Sequence, residues 1–416
     1  MGSITEDNTS LPGRAKDGVK FGKELREKEF MFQKGYLNLN HGNAVSFAND
    51  TLSVLDATLH VISHNITGSF GTYPRPLRET LRAFQDAAEA RPDDFIRYKY
   101  PSYLNESRKA ITNLINAPPK TVVFVPNATT GVNTILRSLR FEEGDHILYF
   151  STIYKACHTT IEYITETAPA KAVKVEYTYP VEDDWLVGAF KQKIQDVKDA
   201  GGKVKIAVFD TVVSMPGRLI RSTLPTSWLF KNLDSVPNTV NPKGAFGGDV
   251  ESEYIGNFEF VGTIDNSPYL CIPKGLEWRK ELGGEKAIIE YCTNLAQDAG
   301  QLLAKALDTE VMDNNTKTLS QCCMAMVRLP IDAEKAQQIG EKFGLEKEEA
   351  GKAVNIWLLR TMAQEHNTFL QTLYYGGAWW ARLSGQVYLE LDDFESVVPG
   401  LKELCDRVYK GEWAEQ

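Results

Sequence analysis

The chain has 416 residues, 43% of them hydrophobic and 24% charged, with a formal net charge of -9. That length suffices for two domains and a large buried core. The acidic balance, without a dense Lys/Arg run, argues against a general nucleic-acid or acidic-membrane binder, and no apolar stretch reaches the 18 residues of a membrane helix.

Residues 1–20 are polar and mixed in charge and lack the apolar core of a signal peptide, so they read as a disordered tail of a cytoplasmic protein. Residues 43–68 have weak periodicity and no capping signals. From about residue 120 strands alternate with helices. Val122–Val125 reads as a strand and Thr129–Leu139 as a helix, followed by strand His146–Phe150, helix Thr159–Thr167, strand Ala172–Tyr177, helix Trp185–Ala200 and strand Val204–Asp210. This alternation makes a mostly parallel sheet covered by helices, with ligands expected at the carboxyl ends of the strands. Residues 275–307 are helix-rich. The last third predicts strands over Cys322–Pro330, Asn355–Leu358 and Ala381–Leu391, with helices over Ala333–Phe343 and Asp393–Lys410. It reads as a small α+β domain of roughly 100 residues.

Six cysteines stand at 157, 271, 292, 322, 323 and 405 with no C-x-x-C. That spacing suits neither a zinc site nor a disulfide framework, and reduced, buried cysteines are expected. The strongest local motif is Pro126-Asn127-Ala128-Thr129-Thr130-Gly131, between a strand and a helix. A helix N-terminus with hydroxyl donors suits a phosphate, and the same residues also read as an ordinary N-cap.

Six stretches in order carry a resemblance. They are Tyr36-Leu37-Asn38-Leu39-Asn40-His41-Gly42, Ser69-Phe70-Gly71-Thr72-Tyr73-Pro74, Asn127 to Asn133, Asp210 to Gly217, Phe260-Val261-Gly262-Thr263-Ile264-Asp265, and Arg382-Leu383-Ser384-Gly385-Gln386-Val387-Tyr388. The set resembles the class V aminotransferase family of pyridoxal-phosphate (PLP) enzymes, fold type I. Within it, the isopenicillin N epimerase-like branch and the fungal C–S lyases acting on hercynylcysteine sulfoxide in ergothioneine biosynthesis are the nearest match. The resemblance implies an α/β PLP-transferase large domain over 21–307, a small C-terminal α+β domain over 308–416, and a homodimer acting on an amino-acid-like small molecule.

It also implies roles for individual residues. Ala128, Thr129 and Thr130 would hold the cofactor phosphate. Tyr154 would lie over the pyridine ring, where a phenol can also serve as a general acid. Ser214 would sit near the ring hydroxyl, and Thr263 would reach the phosphate of the neighbouring subunit. Asn40 and His41 would line the substrate site, and Arg382 would bind the substrate carboxylate as a bidentate fork.

Two departures qualify this picture. Removing 43–68 would restore the family's Asn-His-Gly-Ser-Phe-Gly-Thr-Tyr-Pro run without a break, as a retained intron or gene-model error would. And the family's Asp-x-Ala-His and Ser-x-x-His-Lys strand ends, which supply the ring-nitrogen acid and the Schiff-base lysine, do not occur; no His-Lys pair exists anywhere. Gly217 runs straight into Arg218 where the family has several dozen more residues, so about three strands of the buried sheet are expected to be missing. Asp210, Lys243 and Lys274 are the nearest stand-ins, and surface roles are expected for both lysines. The expectation is an inactive C–S lyase relative without covalent PLP. A non-catalytic binding or dimer-modulating homologue and a class V epimerase or desulfurase are the alternatives.

Overall fold

The computed structural model describes residues 20–41, 71–210, 212–214, 216–219, 255, 258–259, 262 and 264–414. The 43–68 segment, Thr263 and Lys243 therefore lie outside the described residues, as do Gly42, Ser69 and Phe70.

The βα series follows the sequence closely. Helix α1 covers Lys23–Glu29 and strand β1 covers Leu37–Asn38; helices α2 (Arg75–Ala90) and α3 (Tyr100–Ile115) follow. Next come α4 (Ala128–Ser138), β2 (Asp145–Phe150), α5 (Lys155–Thr167), β3 (Lys171–Val175), α6 (Asp183–Asp199) and β4 (Lys203–Val208). The three strands form a parallel sheet in the order β3-β2-β4. Central β2 is buried along most of its length, whereas β4 is only half-buried. A parallel strand of the interior is covered on both faces, so the half-buried β4 marks where the described sheet stops.

The expected strand Val122–Val125 remains extended but joins no ladder among the described residues. Its backbone lacks the neighbour that a strand needs, which is a tertiary matter that propensity cannot supply.

Two-residue strands β5 (Val212–Val213) and β6 (Arg218–Leu219) pair antiparallel, so the Gly217–Arg218 junction becomes a tight hairpin. Gly217 takes φ +70°, a conformation that favours glycine. Helices α7 (Ile272–Glu281) and α8 (Gly284–Leu307) lead to the C-terminal region. There β7 (Met324–Arg328), β9 (Gln371–Tyr375) and β10 (Ala378–Ser384) form an antiparallel sheet in the order β7-β10-β9. Helices α9 (Ala333–Lys342), α10 (Lys347–Glu365), α11 (Leu391–Ser396) and α12 (Val398–Val408) surround it, and β8 (Thr368–Phe369) pairs parallel with β1.

One expectation fails outright. Asn355–Leu358 is not a strand but lies inside α10. A Glu346/Glu349 capping box starts that helix, and Ala350, Val354, Trp357, Leu358 and Thr361 bury one face at helical spacing. The expected strand Ala381–Leu391 is shifted, because β10 ends at Ser384. The expected closing helix is broken into α11 and α12 around Val397, the residue before Val398-Pro399.

The largest hydrophobic core joins Leu25 and Leu39 from the N-terminal segment to Leu303, Trp357, Trp379 and Phe394. A second core lies between the two sheets and holds Phe150, Phe190, Val213, Met326 and Leu373. All six cysteines are buried.

Candidate functional site

The structure brings four of the expected site residues together where the N-terminal segment, the hairpin and β10 meet. Pairing of β1 with β8, and a hydrogen bond from the Ser384 amide to the Leu39 carbonyl (3.1 Å), lay residues 37–41 along the end of β10. The Asn40 amide donates to Asn38 Oδ1 (3.0 Å), folding the chain so that the Asn40 side chain meets Arg382. Arg382 Nη2 donates to Asn40 Oδ1 (2.5 Å) and Nη1 donates to the Ser214 carbonyl (2.6 Å). Its Nε is buried without a hydrogen-bond partner. Arg382 is only 6% exposed, and burial lowers its pKa to about 10, still protonated at neutral pH. Among the described residues no carboxylate pairs with this guanidinium. A buried cation held only by neutral acceptors lacks a counter-charge among the described residues.

His41 is buried beside this group, and both ring nitrogens are engaged. Asn38 Nδ2 donates to its Nε2 (3.2 Å), which leaves Nδ1–H to donate to the Tyr388 hydroxyl (2.8 Å). Burial lowers its pKa to about 4, so the ring is neutral at pH 7. This is the bonding of a core histidine.

The turn expected to hold a phosphate lies at the start of α4. Asn127 Oδ1 accepts from the Thr130 amide (2.8 Å) and from the Thr130 hydroxyl (3.0 Å), so the N-cap reading holds in this conformation. Ala128 and Thr129 are half-buried at the same helix end. Tyr154 caps α5 just past the carboxyl end of β2. Its amide donates to Asp210 Oδ2 (2.9 Å), and its ring is 52% exposed. Asp210 at the end of β4 thus stabilises a helix N-terminus, a common use for a carboxylate. Lys274 pairs with Glu277 (2.8 Å) on α7, a surface ion pair.

A polar network at the carboxyl ends of β2 and β3 went unrecognised in the sequence. Thr152 Oγ1 and the Tyr177 hydroxyl lie 2.6 Å apart, Tyr177 donates to the Tyr179 hydroxyl (3.3 Å), and the Tyr179 amide donates to the Tyr375 hydroxyl (2.7 Å). Burial raises the Tyr177 pKa, and the charge of Asp210 adds to it. The signal was available in Tyr177-Thr178-Tyr179, directly after a parallel strand.

Residues 98–199 match the aminotransferase class-V family model. An L-cysteine desulfhydrase-like protein (lolT1) of Epichloe uncinata is 26% identical, with 83% of this chain and 93% of the relative covered. The hercynylcysteine sulfoxide lyase of Schizosaccharomyces pombe is 20% identical, with 92% and 98% covered. The alignment with the Epichloe protein runs over 429 positions yet draws on 83% of the 416 residues here, so that relative holds residues with no counterpart in this chain. Among solved structures, the cystine C–S lyase C-DES in complex with cysteine persulfide superimposes with a TM-score of 0.53 at 13% identity, covering 81% of this chain and 95% of its own. That likeness shows the fold, which is that of fold-type I PLP enzymes. No helix among the described residues is long and apolar enough to cross a membrane. By this fold and by the family match over residues 98–199, the chain is similar to the PLP-dependent class V aminotransferases.

Proposed function

We propose that this chain is a member of the C–S lyase branch that holds PLP without a covalent bond and does not cleave a C–S bond itself. The names of its relatives support the lineage, which points to cysteine-derived substrates such as a cysteine-sulfoxide conjugate. The observation that carries the loss of activity is the β5–β6 hairpin, which closes the chain where the family's lysine-bearing strands belong.

The cofactor fits only in part. At the phosphate end, Ala128, Thr129 and Thr130 stand at a helix N-terminus, which attracts an anion, although the Thr130 donors are spent on Asn127. The family resemblance would put Tyr154 over the ring and add Ser214 and Thr263 to the set, Thr263 lying outside the described residues. At the ring end the residues do not fit. The sequence has no His-Lys strand end, and the Asp210 Oδ2 oxygen is spent on the Tyr154 amide. PLP chemistry of this class needs a lysine that forms and exchanges a Schiff base, so no catalytic step is assigned.

The chain mixed with PLP and passed through a desalting column tests this reading. Retained cofactor with no borohydride-stable mass adduct, and no sulfide or pyruvate released from L-cysteine or a cysteine-sulfoxide conjugate, is the expected result. A stoichiometric adduct on a lysine together with turnover would overturn it. The division into a PLP-binding domain over 21–307 and a small domain over 308–416, a homodimer and a cytoplasmic location belong to the same proposal.

A further inference from the structure

We infer that the β5–β6 hairpin is an internal occupant of the Arg382 anion site, so that a carboxylate reaches Arg382 only when the hairpin lifts. The inference rests on the reading of Arg382 as the carboxylate-binding arginine. Ser214 contributes a backbone carbonyl and Asn40 a side-chain amide oxygen, 2.6 and 2.5 Å from the two terminal nitrogens. These neutral oxygens stand in for the two oxygens of a carboxylate. They satisfy two donors of the guanidinium, leave Nε unpartnered, and supply no counter-charge. A carboxylate would supply both the charge and the paired geometry, so it is the stronger ligand wherever it can enter.

The hairpin is fitted to this place. A Cβ added at Gly217 would lie 2.8 Å from Arg382 Cδ, and the residue's φ of +70° already excludes most side chains. Pro216 and Gly217 are buried. Val212 packs on Cys322 and Met324, and Val213 is fully buried between the two sheets. Yet the element is small. Its ladder is two residue pairs long, and a two-stranded ribbon of that size holds by packing alone. Lifting it breaks only two ladder pairs and exposes Val213, a local opening that leaves the fold around it in place. The same turn that replaces the lost strands therefore gates the anion site.

Guanidinium labelling with phenylglyoxal, read by peptide mass spectrometry, tests this without any cofactor, so its outcome is independent of PLP retention. In the full chain Arg382 is expected to label at least about tenfold more slowly than Arg97, whose side chain is half-exposed. Gly217→Val should raise the Arg382 rate about tenfold or more, while Arg108, buried elsewhere on α3, stays masked and reports the intact fold. If Gly217→Val unmasks Arg108 as well, Val212→Ser serves in its place, with the same expectation. In the opened variant, L-alanine should slow Arg382 labelling. Wild-type Arg382 labelling as fast as Arg97 overturns the inference, and so does an Arg382 that stays masked in both variants. Opening without protection by L-alanine overturns it differently: the hairpin remains a cover, and Arg382 is no carboxylate site.

Discussion

His41 shows what burial does to a titrating side chain. Its pKa is lowered to about 4 because the folded state desolvates the imidazolium, and the unfolded state keeps the ordinary value near 6.5. Between these values the unfolded chain binds more protons, so stability falls as pH drops from about 6.5 to about 4 and is level above that window. The full span is on the order of 3 kcal/mol. Thermal melts from pH 7 to pH 4 should show this acid limb in the wild type, and His41→Gln should flatten it. At the Asn127 turn the energetics are those of a helix cap. Asn127→Ala leaves the Thr130 amide without its acceptor and should cost about 1 kcal/mol in a denaturant melt. It should also free the Thr130 donors for a phosphate, so PLP retention is expected to rise rather than fall. A fall would make Asn127 a ligand. Both residues stood out in the sequence as polar groups in informative places, and the partner of Asn127 lies in its own motif, but Tyr388 is 347 positions from His41.

Elements were legible where period and caps agreed. α4, α5, α6 and the strands β2 to β4 fall within a few residues of their expected bounds because the helices carry an apolar stripe and the strands are short runs rich in β-branched or aromatic residues between them. Asn355–Leu358 misled because four apolar-leaning residues fit a buried strand and a helix face equally well, and only the capping box at Glu346 and the long helical stripe decide between them. Close packing between elements was invisible. Gly385 follows β10 and lies so near α8 that any Cβ would collide with the Cys292 carbonyl. Backbone cannot yield as a flexible side chain can, so Gly385→Ala should cost at the upper end of about 1–3 kcal/mol. A melt unchanged to within about 0.5 kcal/mol would mean that the two elements separate more easily than their packing implies.

At the scale of the molecule, the parallel sheet is short for its setting. Half-buried β4 ends the described sheet with a strand edge of the kind that promotes association, while Val122 and Phe124 of the unladdered stretch are themselves buried. The expressed chain should therefore elute as associated species on size exclusion, each protomer keeping a cooperative melt. A monodisperse monomer peak would contradict this. Sequencing of the genomic DNA between the Gly217 and Arg218 codons should reveal a coding segment with Asp-x-Ala-His and His-Lys strand ends. A direct join in the genome would make the hairpin an encoded feature. The order of motifs by itself carried the family resemblance and the βα character, since these depend on local spacing and residue type. The absent lysine was equally plain, because a missing motif needs no structure to be seen. Tertiary structure alone decided what the chain does at the break. Whether a turn lies open or seats on Arg382 depends on contacts between residues 168 positions apart, such as Ser214 and Arg382, and no local pattern encodes a contact across that distance.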